Sequence, residues 1–173
     1  MPHRAYRLRH VSHSRGFSLL ELLIVLVIFA IMASIAVPSF QSLRQQQQLT
    51  DASNELVAAL RLARGEAIMR EADVTMSPAT GKNWAKGWRI ADKDKNTVVV
   101  HEPLPAQLSV GGENAQPPDE VTFNDLGYPD SDGEWRLSHA GLSGDASRQV
   151  CLTMTGRAYV AEQDDENGEE CDA

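Results

Sequence analysis

The sequence predicts an α+β fold in which one long N-terminal helix is followed by a group of short antiparallel strands. Two observations predict it. An apolar run and then an amphipathic pattern with spacings of three and four residues fill roughly the first seventy positions, and β-prone segments between turn clusters fill the rest. Because the strands follow the helix as a group, we expect an antiparallel sheet packed against the helix. A chain of 173 residues accommodates one such domain plus an appendage.

The first element is the apolar run at residues 17–37, which reads FSLLELLIVLVIFAIMASIAV. As a helix rising about 1.5 Å per residue, this run spans roughly 30 Å, the hydrocarbon thickness of a bilayer. A buried helix of a soluble protein would show an apolar stripe rather than apolar residues all round. Residues 17–37 are therefore predicted to cross a membrane.

The charges on the two sides of this run are unequal. Of the 16 basic residues, four arginines lie in residues 1–16 with no acid beside them, which leaves 12 Lys+Arg against 24 Asp+Glu and a net charge of −12 from residue 17 onward. Positive charge on the N-terminal side predicts a cytoplasmic N-terminus and an extracytoplasmic domain. Such an acidic domain repels polyanions, so nucleic acid is not an expected partner.

Glu21 lies inside the apolar run, four residues after its start. An ionised carboxylate at that depth is costly, so we expect it to have a partner and a function. The alternative is an ordinary signal peptide, whose cleavage site Ala33, Ser34 and Ala36 could imitate. Its apolar region would be shorter, about 7 to 15 residues, and Glu21 also argues against it.

The helix is predicted to continue through residues 38–71 as an amphipathic half that ends near Arg70. Val57 and Ile68 flank its apolar stripe, whereas Arg61 and Arg64 lie mostly off it. Such a stripe is typical of a helix that packs on its own sheet, so we expect it to be part of the core. The stripe consists of Leu49, Ala52, Leu56, Leu60, Ala63 and Ala67.

Residues 72–173 are predicted to form a β-rich globular domain with an acidic C-terminal tail. Turn clusters rich in Gly, Pro, Ser and Asp separate the candidate strands, and the tail at residues 162–173 has seven acids among twelve residues. The strands are expected at residues 74–76, 84–90, 97–101, 108–110, 121–124, 135–138, 149–154 and 158–161.

Residues 15–23, RGFSLLELL, resemble the type III (prepilin) leader of type IV pilins and type II secretion pseudopilins. The resemblance implies a bacterial inner-membrane prepilin peptidase that cuts between Gly16 and Phe17, removes residues 1–16 and methylates Phe17. It also implies that Glu21, at the fifth mature position, neutralises the N-terminal ammonium of a neighbouring subunit, since opposite charges buried together avoid the penalty that each would meet alone. Pro38 falls where these helices commonly carry a kinking proline.

Short motifs in the domain narrow this resemblance. They are ARGEAI at residues 63–68, the tryptophan-bounded segment at residues 84–88, VTFN at residues 121–124 followed by Gly127, and Thr155-Gly156-Arg157. With the leader, they resemble the GspH/FimT family, which comprises H-type minor pseudopilins and FimT/FimU-like minor pilins. The family implies a long helix carrying a small β-sandwich at or near a filament tip, with other pilins or pseudopilins as partners. The motifs leave type IV pilus and type II secretion open as alternatives.

Cys151 lies in a predicted strand and Cys171 lies in the acidic tail, and both are expected outside the cytoplasm, where disulfides persist. An even count of cysteines in that compartment predicts a bridge between them. Closing a loop of this length contributes about 3 kcal/mol in the chain-entropy model. Two free thiols are the alternative.

Side chains with oxygen ligands occur twice at alternating positions, at Asp92, Asp94 and Asn96 and again at Asp130, Asp132 and Glu134. This spacing opens calcium loops, but both groups also suit turns between strands, and we expect no metal. His101 and His139 are isolated, and the sequence contains no nucleophile, zinc or phosphate-loop motif. We therefore predict no enzymatic activity and no cofactor.

The alternative function is a DNA-binding or adhesive tip subunit. FimT-like minor pilins of competent bacteria bind DNA, and the feature associated with this activity is a Gly-Arg-x-Arg loop near the C-terminus. This chain has Gly156-Arg157-Ala158-Tyr159, without the second arginine. One such arginine on a domain of net −12 is a poor phosphate site, so a tight turn at Gly156 is the preferred interpretation.

Overall fold

The computed structural model describes residues 17–111, 116–142, 146–161 and 171, without the side chains of residues 36–38. The predicted leader with Gly16 lies outside the described residues, as does the acidic tail except for Cys171. The chain divides into two compact units, residues 1–40 and residues 41–173. Helix α1, Leu19–Arg70, begins in the first unit and ends in the second.

Helix α1 has 52 residues and continues as a helix through position 38. Ser18 caps its N-terminus, because the Ser18 hydroxyl accepts a hydrogen bond from the Glu21 amide at 3.1 Å. At the other end, Glu71 adopts a φ of 50°, and the Ala72 amide donates to the Ala67 carbonyl at 3.2 Å. The predicted end near Arg70 agrees with the observed one.

Eight strands form two antiparallel four-stranded sheets in the second unit. The first sheet has the order β3-β2-β1-β5 and the second has the order β4-β6-β7-β8. The strands are β1 Val74–Pro78, β2 Trp88–Asp92, β3 Thr97–Val100, β4 Leu108–Val110, β5 Val121–Phe123, β6 Gly133–His139, β7 Ser147–Leu152 and β8 Ala158–Val160.

One hydrophobic core joins the second half of α1 to the buried faces of both sheets. All six residues of the predicted helical stripe are buried, with exposures from 0 to 4%. Strands β1 and β6 alternate buried and partly buried positions, as expected when one face of a strand is covered. The three tryptophans Trp84, Trp88 and Trp135 are also buried, and the rings of Trp84 and Trp135 meet edge to face at 5.4 Å.

The prediction of one strand over residues 84–90 is wrong, because the segment divides at Gly87. Residues Trp84–Lys86 form a 3₁₀ turn, and only Trp88 onward belongs to β2. The Asn83 side chain accepts from the Ala85 amide at 2.9 Å, which starts the turn locally. Gly87 ends it with a φ of 86°, a conformation that other residues rarely adopt.

One residue of α1 differs from the predicted pattern, and one polar residue of the helix is buried although the pattern did not include it. Ile68, expected to widen the buried stripe, is 47% exposed, because the stripe at this end of the helix is narrow and centred on Ala63 and Ala67. Ser53 is fully buried although it is polar. Its hydroxyl donates to the Leu49 carbonyl one turn earlier at 2.8 Å, so the hydrogen-bonding group is satisfied within the helix.

Candidate assembly site

The N-terminal end of α1 presents Phe17, Ser18 and Glu21 together. Phe17 is 79% exposed, and Glu21 lies in the first helical turn, where unpaired backbone amides favour a negative charge. Ser18 fixes this turn through its side chain and through its carbonyl, which accepts from the Leu22 amide at 3.2 Å. The carboxylate of Glu21 therefore sits beside the start of the described chain, close to the position of the predicted cut.

The apolar part of α1 is exposed along its described length. Every described side chain from residue 17 to residue 35 is exposed, and the most apolar 18-residue window of the helix has a mean hydropathy of 2.9 with none of it buried. By length and composition, this is a helix that could cross a membrane. A surface of this kind needs lipid or other apolar helices around it.

Near the C-terminal end of α1, Arg64 binds two turns of the second unit. Its Nε donates to the Gly127 carbonyl at 3.0 Å, and its Nη1 donates to the Gly156 carbonyl at 3.1 Å. The two glycines adopt φ angles of 81° and 76° and lie against each other, because a Cβ on Gly156 would stand 2.5 Å from the Gly127 carbonyl oxygen. Three family-like motifs that are distant in the sequence thus meet at one guanidinium.

Arg61, one turn before Arg64, makes a second link of the same kind. Its Nε and Nη2 donate to the Ala158 carbonyl at 3.2 and 2.8 Å, at the start of β8. The sequence pattern put both arginines mostly off the apolar stripe, and no role was predicted for either. Their spacing of three residues, next to a buried stripe, was the available signal, since residues so spaced lie on one face of a helix.

The structure pairs Cys151 with Cys171 in a disulfide, with a Cα to Cα distance of 5.5 Å. Cys151 lies in β7, and the side-chain Nε2 of Gln149 is 3.5 Å from the sulfur of Cys171. The described residues contain no free cysteine. The bond therefore fastens position 171 to the second sheet, as the even number of cysteines predicted.

His101 and His139 have structural partners rather than catalytic ones. The ring of His101 stacks on Trp88 at 4.0 Å, and its Nε2 lies 3.3 Å from a carboxylate oxygen of Glu55. The Nδ1 of His139 accepts from the Gly141 amide at 3.0 Å, so its Nε2 is the nitrogen that donates to Gln48 at 3.1 Å. Both histidines thus link the β-sheet part of the second unit to side chains of helix α1.

The Asp92 to Asn96 segment is a turn between β2 and β3. One carboxylate oxygen of Asp92 accepts from the amides of Asp94 and Asn96 at 2.9 and 2.8 Å, and the other accepts from the Asn96 side chain at 3.1 Å. The Asn96 side-chain bond and then the Asn96 backbone bond lower the pKa of Asp92 below its usual value of 3.8. The carboxylate thus closes its own hairpin, as the turn interpretation expects.

The described residues hold no group of three or more His, Cys, Asp or Glu side chains arranged for a metal. A surface groove of about 580 Å³ lies between the 3₁₀ turn and β4, and its ionisable side chains are Lys82 and Lys86. Its lining includes Ser109, whose hydroxyl bonds to that of Ser138 at 2.8 Å rather than to a base. Among the described residues that line this groove, none form a nucleophile and base pair.

Comparisons with known proteins agree with this arrangement. The family described as "Type II transport protein GspH" matches residues 52–156, and the "Prokaryotic N-terminal methylation motif" matches residues 11–37. Two curated proteins named "Fimbrial protein", both from Pseudomonas aeruginosa, are 41% identical over 69 residues, which is 40% of this chain. The chain spans less than half the length of these relatives, 44% of each.

Two solved structures share the fold. The type IV minor pilin FimU of Pseudomonas aeruginosa has a TM-score of 0.58 at 22% identity, over 68% of this chain and 91% of FimU. The minor pseudopilin EpsH from the type 2 secretion system of Vibrio cholerae has a TM-score of 0.51 at 14% identity, over 65% of this chain and 95% of EpsH. The long helix and the antiparallel sheets together thus give the chain a pilin-like fold. The GspH match covers more than half of the sequence, and the chain belongs to the GspH family.

Proposed function

We propose that this chain is a structural minor subunit of a pilus-type filament, processed by a prepilin peptidase and held in the inner membrane before assembly. In this proposal, residues 1–16 are removed, Phe17 is methylated, residues 17–37 form the membrane and filament-core half of the helix, residues 38–71 form its amphipathic half, and residues 72–173 form a periplasmic domain. The N-terminus is cytoplasmic, and the subunit crosses the membrane once.

The observation that carries the proposal is the uncovered apolar half of α1 with Glu21 as its single acid. The side chains of residues 17–35 are all exposed, so their burial requires lipid or other helices. A carboxylate among them is stabilised only if an opposite charge accompanies it into the apolar surroundings. The N-terminal ammonium of a neighbouring processed subunit supplies that charge, so Glu21 favours a helix bundle of several subunits.

The match to the N-terminal methylation motif at residues 11–37 supports processing at Gly16. The test is to change Gly16→Leu and to sequence the N-terminus of the membrane-bound protein. We expect wild type to begin with methylated Phe17 and the variant to stay at full length. A variant that still begins at Phe17 would contradict the proposed cleavage.

Glu21→Ala is the test of assembly. We expect this variant to be cut normally, since Glu21 lies beyond the cleavage site, but to remain in the membrane instead of entering sheared filaments. Ser34→Ala, on the same apolar helix, is the matched control and should assemble like wild type, because the Ser34 hydroxyl donates to the Ile31 carbonyl within its own helix. Equal filament content in the Glu21 and Ser34 variants would contradict the role of Glu21.

The finer assignment within this proposal is a tip subunit that primes assembly of a type IV pilus. Deletion of the gene, followed by parallel assays of surface pili and protein secretion, decides between the two machines. Loss of pili with normal secretion is expected. Loss of secretion with normal pili would assign the subunit to the type II secretion pseudopilus instead.

The alternative of DNA binding has less support from the site. The guanidinium of Arg157 lies 4.5 Å above the ring of Tyr159, and the neighbouring Gly156 carbonyl is bound by Arg64. The turn is therefore packed on its own domain, within a chain of net −12 after the predicted cut. Electrostatic binding is strongest at low salt, so absence of DNA binding there would remove this alternative.

A further inference from the structure

Four exposed side chains with large apolar parts lie in or next to the two turns whose glycines Arg64 binds. They are Ile68 on α1, Leu126 and Tyr128 on either side of Gly127, and Met154 in the turn that contains Gly156. Their exposures are 47, 68, 50 and 55%. Ile68 touches the Gly127 turn, since a Cβ on Gly127 would lie 2.7 Å from its Cδ1. We name these four residues the Leu126 patch.

The backbone beneath the Leu126 patch is fixed before any partner arrives. The Asn124 side chain accepts from the amides of Leu126 and Tyr128 at 3.0 and 2.9 Å. In the second turn, the Thr153 carbonyl accepts from the Gly156 amide at 2.8 Å, and the Thr153 hydroxyl accepts from the Arg157 amide at 3.2 Å. A partner therefore meets a preorganised surface and loses little entropy in ordering it.

The size of the Leu126 patch limits what can occupy it. Four large side chains, each about half exposed or more, present on the order of 400 Å² of apolar surface, which is within the range of the largest apolar patch on a typical monomer, a patch that is often functional. A standard stable complex buries about 800 Å² on each partner. The patch alone is therefore too small for a free soluble partner, and its occupant needs a second attachment to this subunit.

A neighbouring filament subunit has that second attachment, because its N-terminal helix packs beside α1 in the proposed assembly. Tethering through the helices raises the effective concentration of the two domains, so a small contact becomes sufficient. A second copy of this chain is a poorer occupant, because two chains that each have a net charge of −12 from residue 17 onward repel each other. The tethering through the helices and the repulsion between two copies together favour a filament subunit of different sequence as the occupant of the patch.

We propose that the Leu126 patch docks the globular domain of a different pilin-like subunit whose N-terminal helix packs beside α1. This inference rests on the proposed function, since it requires that the chain enters a helix bundle. Arg64 acts as a positioning residue in it, because its guanidinium holds both turns of the patch against α1.

The test is site-specific cross-linking of the full-length chain in the membranes of its own host. The described residues contain no free cysteine, so Leu126→Cys and Met154→Cys each add one thiol that benzophenone maleimide can label. Val100→Cys, at a position of 61% exposure on β3, is the matched control for an exposed apolar residue away from the patch. After irradiation, the partner peptides are identified by mass spectrometry.

We expect positions 126 and 154 to give adducts with the globular domain of another prepilin-class subunit, several-fold above position 100. We also expect these adducts to disappear when Glu21→Ala is added, since the helices then no longer bring the domains together. Adducts with a second copy of this chain would overturn the choice of partner. Adducts that persist with Glu21→Ala would overturn the requirement for helix packing.

Two further outcomes separate this inference from the proposed function. If position 100 reacts with a pilin-like subunit and positions 126 and 154 do not, the chain is a filament subunit that uses another surface, and the patch is refuted. If all three positions fail and the processed chain is absent from filaments, the proposed function fails with it. Leu126 and Met154 are exposed, so a Tm close to that of wild type is expected for each variant and verifies that it is folded.

Discussion

The guanidinium of Arg64 donates to the backbone carbonyl of Gly156, a residue 92 positions later in the chain. With the bond to Gly127, this contact joins the helix to one turn beside each sheet. Removal of a partly buried charged donor that serves two carbonyls leaves both of them unsatisfied, and each such group costs about 1 to 3 kcal/mol. Arg64 is therefore the residue on which the arrangement of the two turns depends.

The first prediction concerns Arg64→Met, which keeps most of the aliphatic side chain and removes both hydrogen bonds. We expect a loss of about 2 to 4 kcal/mol in the free energy of unfolding, because the Gly127 and Gly156 carbonyls lose their charged donor. Urea unfolding of the full-length protein in detergent measures it. Arg44→Met is the control, since Arg44 is exposed and its replacement should change stability by at most about 0.5 kcal/mol.

A second prediction concerns Gly156→Ala. Its φ of 76° is strained for alanine, and the new Cβ would lie 2.5 Å from the Gly127 carbonyl oxygen and 2.9 Å from Nε of Arg64. Strain and displacement of backbone together should cost about 2 to 4 kcal/mol. Gly81→Ala isolates the strain, because Gly81 has a φ of 59° with nothing within 4 Å of a Cβ, and it should cost only about 1 kcal/mol. Equal losses in the two variants would show that the close contact with Gly127 is unimportant.

A change of opposite sign is expected for Gly65→Ala. Gly65 lies inside α1, and a Cβ at this position would have nothing within 4 Å, so alanine adds helix propensity without a clash. The free energy of unfolding should rise by about 0.5 to 1 kcal/mol. Differential scanning calorimetry would detect this as a higher Tm than wild type, and a lower Tm would mean that the position is crowded.

The disulfide gives a fourth prediction. Reduction of the Cys151–Cys171 bond should lower the free energy of unfolding by about 3 kcal/mol, because it releases a loop with a sequence separation of 20. Unfolding curves with and without dithiothreitol measure the difference. The double variant Cys151→Ala and Cys171→Ala should be insensitive to dithiothreitol, and any remaining response in it would point to a cause other than this bond.

A fifth prediction follows from the lowered pKa of Asp92. Its folded pKa lies below the usual value of 3.8, so the carboxylate contributes stability that is fully present above about pH 4 and is lost as pH falls through the folded pKa. Asp92→Asn can form the same turn but does not titrate there. The difference in Tm between wild type and this variant should therefore be constant near neutral pH and shrink towards about pH 3. A difference that is independent of pH would contradict the role of the carboxylate charge.

Local patterns in the sequence were sufficient for the helix and for the position of seven strands. The spacing of Leu56, Leu60, Ala63 and Ala67 dictates which helical face is buried, and all four residues are in the core. Turn residues on both sides located the strand Leu108–Val110 with its observed bounds, and the other six strands were located within a few residues of theirs. These features depend on neighbours within a few positions, where side-chain periodicity carries the information.

Features that depend on distant partners were not predictable in this way. The role of Arg64 requires residues 63 and 92 positions away, and an arginine beside an apolar stripe is more often a solvated side chain. The division at Gly87 did not follow from the pattern, because Trp84 and Trp88 are both apolar and a strand with alternating burial would also bury both of them. The signal for the turn is the Asn83 side chain, which accepts from the Ala85 amide. The order of strands in the two sheets likewise arises from long-range packing.

The link between Arg64 and Gly156 also has a consequence for the time at which this domain folds. During synthesis, residue 64 leaves the ribosome long before residue 156, so its guanidinium lacks the Gly156 carbonyl until β7 and the turn after it have been made. A chain interrupted anywhere before Gly156 lacks this contact and also lacks β8, the neighbour of β7 in the second sheet. The link between the two turns is therefore completed only in the finished polypeptide, and incomplete products expose an unpaired strand edge that cellular proteases can recognise.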